Sequence, residues 1–497
     1  VLKETNPPVP RTQDQRGLSS WNQNSRMDRT FREEHHMEGL TTIILAAGAG
    51  TRMKSDKAKC AHEVAGLPML GWVMRAARDA GATENIVVVG HHAGEIEALV
   101  PEGTRCVLQA ERLGTGHAVQ CAAEALSGAH GTILVLCGDT PLLRGQTLAR
   151  ACEAHRETGH AATVLTGILE NPKGYGRILR EADGQVAGIV EQADATEQQQ
   201  AIREINTGVY LFDAAALLAA LPNLKNNNRQ GEYYLTDVLG ILREAGLSVG
   251  AHVVPDAEET FGVNDRVQLA QAEAVLLGRI RNAHMQAGTT FRLPETSWVG
   301  ADVRIGEDTL ILPGCILEGK TEIGAGCVIG PNTRMVDARI GAGVEVAQSV
   351  VLSSSVGSGT KVGPFAYLRP GSQVGRHVKI GDFVEIKKSV IGDNTKISHL
   401  TYVGDAEVGE RVNLGCGVVV VNYDGRVKNR TIIGDDSFVG CNVNLISPVE
   451  VHDHAYVAAG STITSEVPSY ALGIARARQT VKEEWVRKKG LDKPKET

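Results

Sequence analysis

The feature that most limits what this chain can fold into is an aliphatic residue at every sixth position. Val299, Ile305, Ile311, Leu317, Ile323 and Ile329 begin the series, and Val356, Val362, Leu368, Val374, Ile380 and Ile386 resume it. Ile433, Val439, Leu445, Val451, Val457 and Ile463 close it. A helix returns to its buried face every 3.6 residues and a half-buried strand every second residue, so neither carries a period of six. A parallel β-helix does, because each repeat supplies one short strand and one turn. About three repeats close a coil, which predicts roughly nine or ten coils. Composition agrees: 56 of 497 residues are Gly and only 4% are aromatic, as expected of small and aliphatic side chains in repeated tight turns. The period breaks between Val420 and Ile433, at Asn422-Tyr423-Asp424-Gly425 and a basic stretch. A loop pushed out of a solenoid is a candidate functional insertion.

The preceding half follows another grammar. From Thr41 to about Phe261, β-branched runs such as Thr42-Ile43-Ile44-Leu45, Ile86-Val87-Val88-Val89 and Ile133-Leu134-Val135-Leu136 alternate with helical stretches. Two of these are Leu70 to Ala80 and Gly116 to Ala125. Buried strands alternating with helices predict a parallel sheet covered on both faces, with ligands at the carboxyl ends of its strands. Residues from about Asp265 to Gln286 read as one helix, with Val267, Leu269, Leu276, Leu277 and Ile280 apolar, connecting the two halves.

Charge and thiols narrow the class. A net charge of −7 offers no general attraction to nucleic acid. No apolar run approaches the ~18 residues that span a bilayer, so no membrane partner is expected. The nine cysteines include no C-x-x-C pair and read as reduced thiols packed as small hydrophobes, which points to the cytosol. The first 36 residues are polar, rich in Pro, Arg and Gln, and lack an apolar signal core, so they read as disordered. Met37, directly before the first strand-like run, is a candidate translation start.

Two stretches carry chemistry. Leu45-Ala46-Ala47-Gly48-Ala49-Gly50-Thr51-Arg52-Met53 is a Gly-rich turn after a buried strand, where backbone N–H groups can approach a phosphate. Arg52 and Lys59 add cations. The turn lacks both the G-K-[ST] ending of a P-loop and the third Gly of a dinucleotide fingerprint. Asp139, ending the run Leu136-Cys137-Gly138-Asp139, has the hard oxygen donors of a Mg²⁺ ligand; read alone it is equally a helix N-cap before Thr140-Pro141. In the solenoid, Arg369, Glu385, Lys387, His399, Tyr402, Asn413 and Asn422 recur at roughly one coil or less, which stacks them along one edge of the prism. A lone surface His is usually just solvated, but a His with a Glu, an Arg, a Lys and a Tyr on neighbouring coils is a catalytic candidate.

These motifs resemble a known family. Leu45 through Met53 looks like the signature of sugar-nucleotide pyrophosphorylases. Leu108-Gln109-Ala110-Glu111, Leu113-Gly114-Thr115-Gly116-His117-Ala118, Gly138-Asp139-Thr140-Pro141-Leu142, Gly174-Tyr175-Gly176-Arg177 and Ile205-Asn206-Thr207-Gly208 narrow the match, with Gln230-Gly231-Glu232-Tyr233-Tyr234 and Gly262-Val263-Asn264 continuing it. Together with the solenoid cluster they resemble the bifunctional N-acetylglucosamine-1-phosphate uridyltransferase / glucosamine-1-phosphate acetyltransferase family over about residues 40 to 490. The fold implied is an α/β nucleotidyltransferase domain with a Rossmann-like, mainly parallel sheet at 39–264, a helical linker at 265–290 and a left-handed parallel β-helix of hexapeptide repeats at 291–497, C-terminal tail included; a disordered extension, 1–38, precedes them.

The resemblance also implies roles. Acetyl transfer from acetyl-CoA to glucosamine 1-phosphate would be followed by uridylyl transfer from UTP to N-acetylglucosamine 1-phosphate, releasing pyrophosphate. Gln109, Gly114 and Thr115 would hold the uracil; Arg52 and Lys59 the triphosphate, beside Leu45, Ala46, Ala47 and Gly48. Gly176, Glu191 and Asn206 would hold the N-acetylated sugar, and Asp139 and Asn264 would coordinate Mg²⁺. His399 would be the general base, oriented by Glu385. Arg369 and Lys387 would bind the sugar phosphate, and Tyr402, Asn413 and Asn422 the sugar. Acetyl-CoA would lie along Cys416, Asn422, Tyr423, Cys441, Ala459 and Arg476, with Tyr423 near the acyl carbonyl. The family implies a cytoplasmic homotrimer whose product feeds cell-wall synthesis. Ala58 stands where the family usually has Pro, which would loosen the loop carrying Lys59, and Ala193 where a Lys is usual, which removes a charge near the sugar. Another sugar or nucleotide, an acyl-Cys step, and a solenoid with decayed sites are the competing readings; Glu191, Asn206 and the complete Arg369–Asn422 set argue against the first, direct transfer to the amine needs no covalent step, and the presence of Lys59, Asp139 and His399 argues against decay.

Overall fold

The computed structural model describes residues 39–48, 50–182 and 184–492. The expected disordered extension, Ala49 of the Gly-rich turn and the last five residues lie outside the described residues. Two compact units follow one another along the chain: the first closes at Val275 and the second opens at Leu276, within the helix Arg266–Gln286.

The first unit is built on one sheet. Its strands run in the order Val249–Val253, Ala162–Ile168, Glu204–Asp213, Thr132–Cys137, Leu40–Leu45, Glu84–Val89, Arg105–Leu108. Leu40–Leu45 pairs in parallel with both neighbours, matching Ile43 with Ile86 and with Val135, all three fully buried. Burial on both faces is what a β-branched run without alternation requires. Helix Met69–Asp79 packs Leu70, Val73 and Ala77 on one face, and Thr115–Cys121 packs Ala118 and Val119 on the other. The helix expected over 116–125 thus stops at Cys121. Glu204–Asp213 runs antiparallel to both its neighbours, with a register shift between Asn206 and Tyr210. A hairpin, Arg177–Arg180 with Val186–Val190, hangs from its first half. The sheet is therefore mixed, though mainly parallel.

The second unit is a left-handed β-helix of hexapeptide repeats. Its strands form three parallel sheets of 11, 10 and 9 strands. The sixth-position aliphatics fill one continuous core; Val299, Ile311, Leu317, Ile329, Leu368, Ile386 and Leu445 are fully buried. Each such side chain contributes about 1.5–3 kcal/mol by leaving water. The stack breaks step between Ile329 and Val356, where buried Met335, Ile340, Val346 and Val351 follow at gaps of five or six residues, so shorter turns are absorbed without leaving the core. Corners are turned by residues in left-handed conformation, among them Phe383 (φ 55°), Lys388 (φ 45°), Leu400 (φ 48°) and Asp405 (φ 51°). These fix where the preceding side chains stack.

Candidate active sites

In the first unit the parallel strands deliver their loops to one sheet edge. Gly50 stands at φ 59°, and a Cβ there would lie 2.8 Å from Lys59 Cβ, so glycine is what lets the turn and Lys59 touch. Lys59 Nζ donates to Asp139 Oδ2 and, at 2.8 Å, to Asn264 Oδ1, which also accepts from Arg52 at 2.8 Å. Val263 N donates to Asp139 O at 2.9 Å, tying the two loops together. One carboxylate oxygen and one amide oxygen thus converge on a cation. That donor set fits Mg²⁺, which takes few protein oxygens and completes its shell with water and phosphate. Leu45 O accepts from Gly138 N and Ala46 N donates to Val88 O, both at 2.9 Å; Ala47 packs on Gly90, and a Cβ on Gly48 would meet nothing within 4 Å. Burial pushes the Cys137 thiol up to about 12 and raises that of Cys60 still further, so both stay protonated as packing groups.

Gln109 follows the strand Arg105–Leu108 and is buried. Gly114 opens the helix Thr115–Cys121 at φ 106°, and a Cβ there would sit 2.5 Å from Tyr233 O. Thr115 Oγ1 accepts from Leu235 N at 3.1 Å, which pins that helix to the segment Tyr233–Leu235. Farther along the mixed half of the sheet, Asn206 N donates to Gly176 O at 2.9 Å, and a Cβ on Gly176 would lie 3.3 Å from both carboxylate oxygens of Glu191. Glu191 borders a cavity of about 220 Å³ with Asp194, Asn228, Tyr234 and Asp237. Burial, then Asp194 and Asp237, raise its carboxyl above the ordinary range. Buried Arg177 braces these loops, donating to Gln192 Oε1 at 2.9 Å, which also accepts from Gly174 N at 3.0 Å.

In the second unit, Asp382 and His399 are each the last residue before a left-handed corner, on successive coils, and face each other in register. His399 Nδ1 lies 2.5 Å from Asp382 Oδ1. An ionised carboxylate only accepts, so Nδ1 carries the proton and Nε2 presents its lone pair. The bond to His399 holds the Asp382 carboxyl below the usual carboxylate range. On the adjoining sheet, Tyr367, Glu385 and Tyr402 stack in register, and Arg369 Nη1 donates to Glu385 Oε1 at 2.9 Å. Lys387 Nζ donates to Asp405 Oδ2 at 2.7 Å, and Asn422 Nδ2 donates to the same oxygen. A Cβ on Gly404 would lie 2.3 Å from Tyr402 Oη and 2.8 Å from Asn422 Nδ2, so this knot of polar groups needs glycine beneath it. From the His399 corner a column runs along the coils. Gly417 N donates to His399 O at 3.3 Å, Asn442 N to Cys416 O at 2.7 Å and Gly460 N to Cys441 O at 2.8 Å. Arg476 Nη1 closes it on Ala459 O at 2.8 Å.

Known proteins match both halves. A MobA-like NTP transferase domain model matches residues 42–232, and a bacterial transferase hexapeptide (six repeats) model matches 302–335, 353–388 and 430–465. The protein named bifunctional protein GlmU from Acetivibrio thermocellus is 57% identical over 455 residues, covering 92% of this chain and 99% of its own. Those from Clostridium beijerinckii and Thermoanaerobacter pseudethanolicus are 53% and 52% identical, each covering 91% of this chain and 99% of their own. The chain belongs to the bifunctional GlmU family. With that membership and these two domains it is a bifunctional nucleotidyltransferase and acetyltransferase.

Within this GlmU chain, among the described residues no hydrogen bond or ion pair joins Glu385 to His399; Glu385 accepts from Arg369, and the carboxylate on the His399 ring is Asp382. The reason is register: Glu385 pairs across the coils with Tyr402, three residues beyond His399 and past the corner. Asn413 pairs with Lys396 and Phe438, and among the described residues no side-chain hydrogen bond joins it to the cluster. Tyr423 donates to Gly425 O at 2.8 Å and half its surface stays exposed. The expectation that Ala58 loosens the Lys59 loop also needs amending. Ala58 keeps a proline-like φ of −52°, and its N–H, which Pro would lack, donates to Glu95 Oε2 at 2.7 Å. Beside Ala193, Arg229 donates to the Ala193 carbonyl at 2.7 Å, returning a cation to that loop. Sequence reasoning missed Asp382, Asp405 and Lys428. Lys428, in the extruded loop, lies 5.2 Å above the Tyr423 ring, and Lys387 beside it lowers its pKa.

Proposed function

We propose that the β-helix unit acetylates glucosamine 1-phosphate with acetyl-CoA and that the α/β unit couples the product to UTP, releasing pyrophosphate and UDP-N-acetylglucosamine. The observation that carries this reading is the pair of separate constellations, Lys59–Asp139–Asn264 and Asp382–His399, on the two units of a GlmU-family chain. In the acetyl site His399 Nε2 takes a proton from the substrate amine, which then attacks the thioester carbonyl, and Asp382 holds the resulting imidazolium. Arg369 and Lys387 meet the sugar phosphate, with Tyr402, Asn413 and Asn422 against the ring. The coenzyme follows Cys416, Cys441, Ala459 and Arg476, with Tyr423 at the acyl end. Direct transfer to the amine needs no acyl-Cys.

In the uridylyl site Gln109, Gly114 and Thr115 hold uracil, and Gly176, Glu191 and Asn206 hold the sugar. Arg52 and Lys59 neutralise phosphate charge as the sugar phosphate attacks. Asp139 and Asn264 would hold Mg²⁺, which lowers the repulsion between the reacting phosphates. Trimer formation is part of the proposal: Phe365, Phe383 and Leu400 form an exposed apolar strip beside His399, with the two Phe rings stacked at 5.3 Å. Cytoplasmic residence fits the nine free thiols, and the product would serve cell-wall synthesis. The test is a pair of variants in the full chain. Asp139→Ala should abolish pyrophosphate release and leave CoA release intact; His399→Ala should abolish CoA release and leave pyrophosphate release from supplied N-acetylglucosamine 1-phosphate intact. Loss of both activities in either folded variant would overturn the assignment.

A further inference from the structure

His117 has no role in the reading above, yet it touches the residue assigned to the base. Gln109 Nε2 lies 3.0 Å from the Gly114 carbonyl and 3.2 Å from His117 Nδ1. A carbonyl oxygen only accepts, so the amide nitrogen, not its oxygen, faces Gly114. Its second hydrogen then points to His117 Nδ1, which must accept and therefore carry no proton. The imidazole proton sits on Nε2, toward Cys121 Sγ at 3.8 Å. Both amide hydrogens are thereby used inside the protein, and among the described residues Oε1 accepts no hydrogen bond.

We infer that His117 is a positioning residue that locks Gln109 with Oε1 outward, so that the base site accepts a hydrogen bond and selects uracil over cytosine. This rests on the proposed placement of the uracil at Gln109. Uracil N3 carries a hydrogen and can donate to Oε1; cytosine N3 carries a lone pair, which would set one acceptor against another. A rotated amide would reverse the preference, offering its NH₂ to cytosine. A site built around one donor rejects the analogue that lacks it more strongly than shape alone allows. With Gly114 O as the sole lock, the rotated amide becomes accessible; His117 supplies the second.

The test compares UTP with CTP as cosubstrate for N-acetylglucosamine 1-phosphate, following pyrophosphate, in the full chain and two variants. His117→Phe keeps a ring against Tyr233, whose centroid is 6.3 Å away, but removes the acceptor. His117→Asn restores an acceptor oxygen. His117→Phe should lower the UTP-to-CTP ratio of kcat/KM by about tenfold, the worth of one hydrogen bond, and His117→Asn should recover most of it. An unchanged ratio in His117→Phe, or an equal loss in both variants, overturns the inference. Failure of the unsubstituted protein to use UTP would instead overturn the uridylyl reading beneath it.

Discussion

Replacing Asp382 by Asn tests the reassigned partner of the general base. The change is nearly isosteric, so the coil and the left-handed corner at Phe383 stay in place while the charge that holds His399 Nδ1–H at 2.5 Å disappears. Removing a general base altogether costs about 100- to 10,000-fold. Here the imidazole remains, the Asn amide oxygen can still accept from Nδ1–H, and the two side chains are 53% and 38% exposed, so water screens part of the lost charge. A fall of about tenfold in kcat for acetyl transfer is expected, with KM for glucosamine 1-phosphate little changed and pyrophosphate release from supplied N-acetylglucosamine 1-phosphate untouched. The contrasting variant is Glu385→Gln. It removes the negative charge that pairs with Arg369 at 2.9 Å and should move KM for the sugar phosphate more than kcat. Steady-state CoA release at varied glucosamine 1-phosphate reads both. Unchanged kcat in Asp382→Asn together with a tenfold loss in Glu385→Gln would refute the reassignment and restore Glu385 as the orienting carboxylate.

Two further outcomes follow from local chemistry. Ala58→Pro suits the backbone, whose φ is −52°, but deletes the N–H that donates to Glu95, so the first unit should lose about 1 kcal/mol in urea unfolding where a free proline site would gain stability. Glu191 has a carboxyl raised by burial and by Asp194 and Asp237, so the folded chain binds its proton more tightly than the unfolded chain and stability falls as pH rises through that interval. Glu191→Gln should therefore raise the melting temperature at neutral pH, flatten its dependence on pH above the ordinary carboxylate range, and raise KM for N-acetylglucosamine 1-phosphate; a lower melting temperature would count against the buried charge as a cost.

The fold was largely legible because its two periods are so different. The six-residue series names the inner face of the coils at 299–329, 356–386 and 433–463, while the coils between them turn in gaps of five as well as six, and the unbroken aliphatic runs name strands buried on both sides. Glu204–Asp213 is where this reasoning ran out: alternation of strand and helix implies parallel neighbours, yet this strand, reached through the hairpin at 177–190, runs antiparallel to both of its own, and no local pattern announces that pairing. The first site was readable from motifs because its loops each follow a strand end. The second was readable as a cluster but not as contacts. Asp382 follows Ile380-Gly381 and looks like any turn residue of the repeat; only the register that sets it against His399 gives it a role. Lys428 sits in the extruded loop, and its nearness to Lys387 depends on how that loop folds back, which Asn429 N to Asn422 O at 2.7 Å decides.

The central claim is that one chain performs both transfers in sequence. The measurement is a coupled assay of the full protein with glucosamine 1-phosphate, acetyl-CoA, UTP and Mg²⁺, in which free CoA and pyrophosphate are followed separately. Release of both is predicted, with pyrophosphate appearing only when acetyl-CoA is supplied and lagging behind CoA. Pyrophosphate released at the same rate without acetyl-CoA, or neither product released, would contradict it.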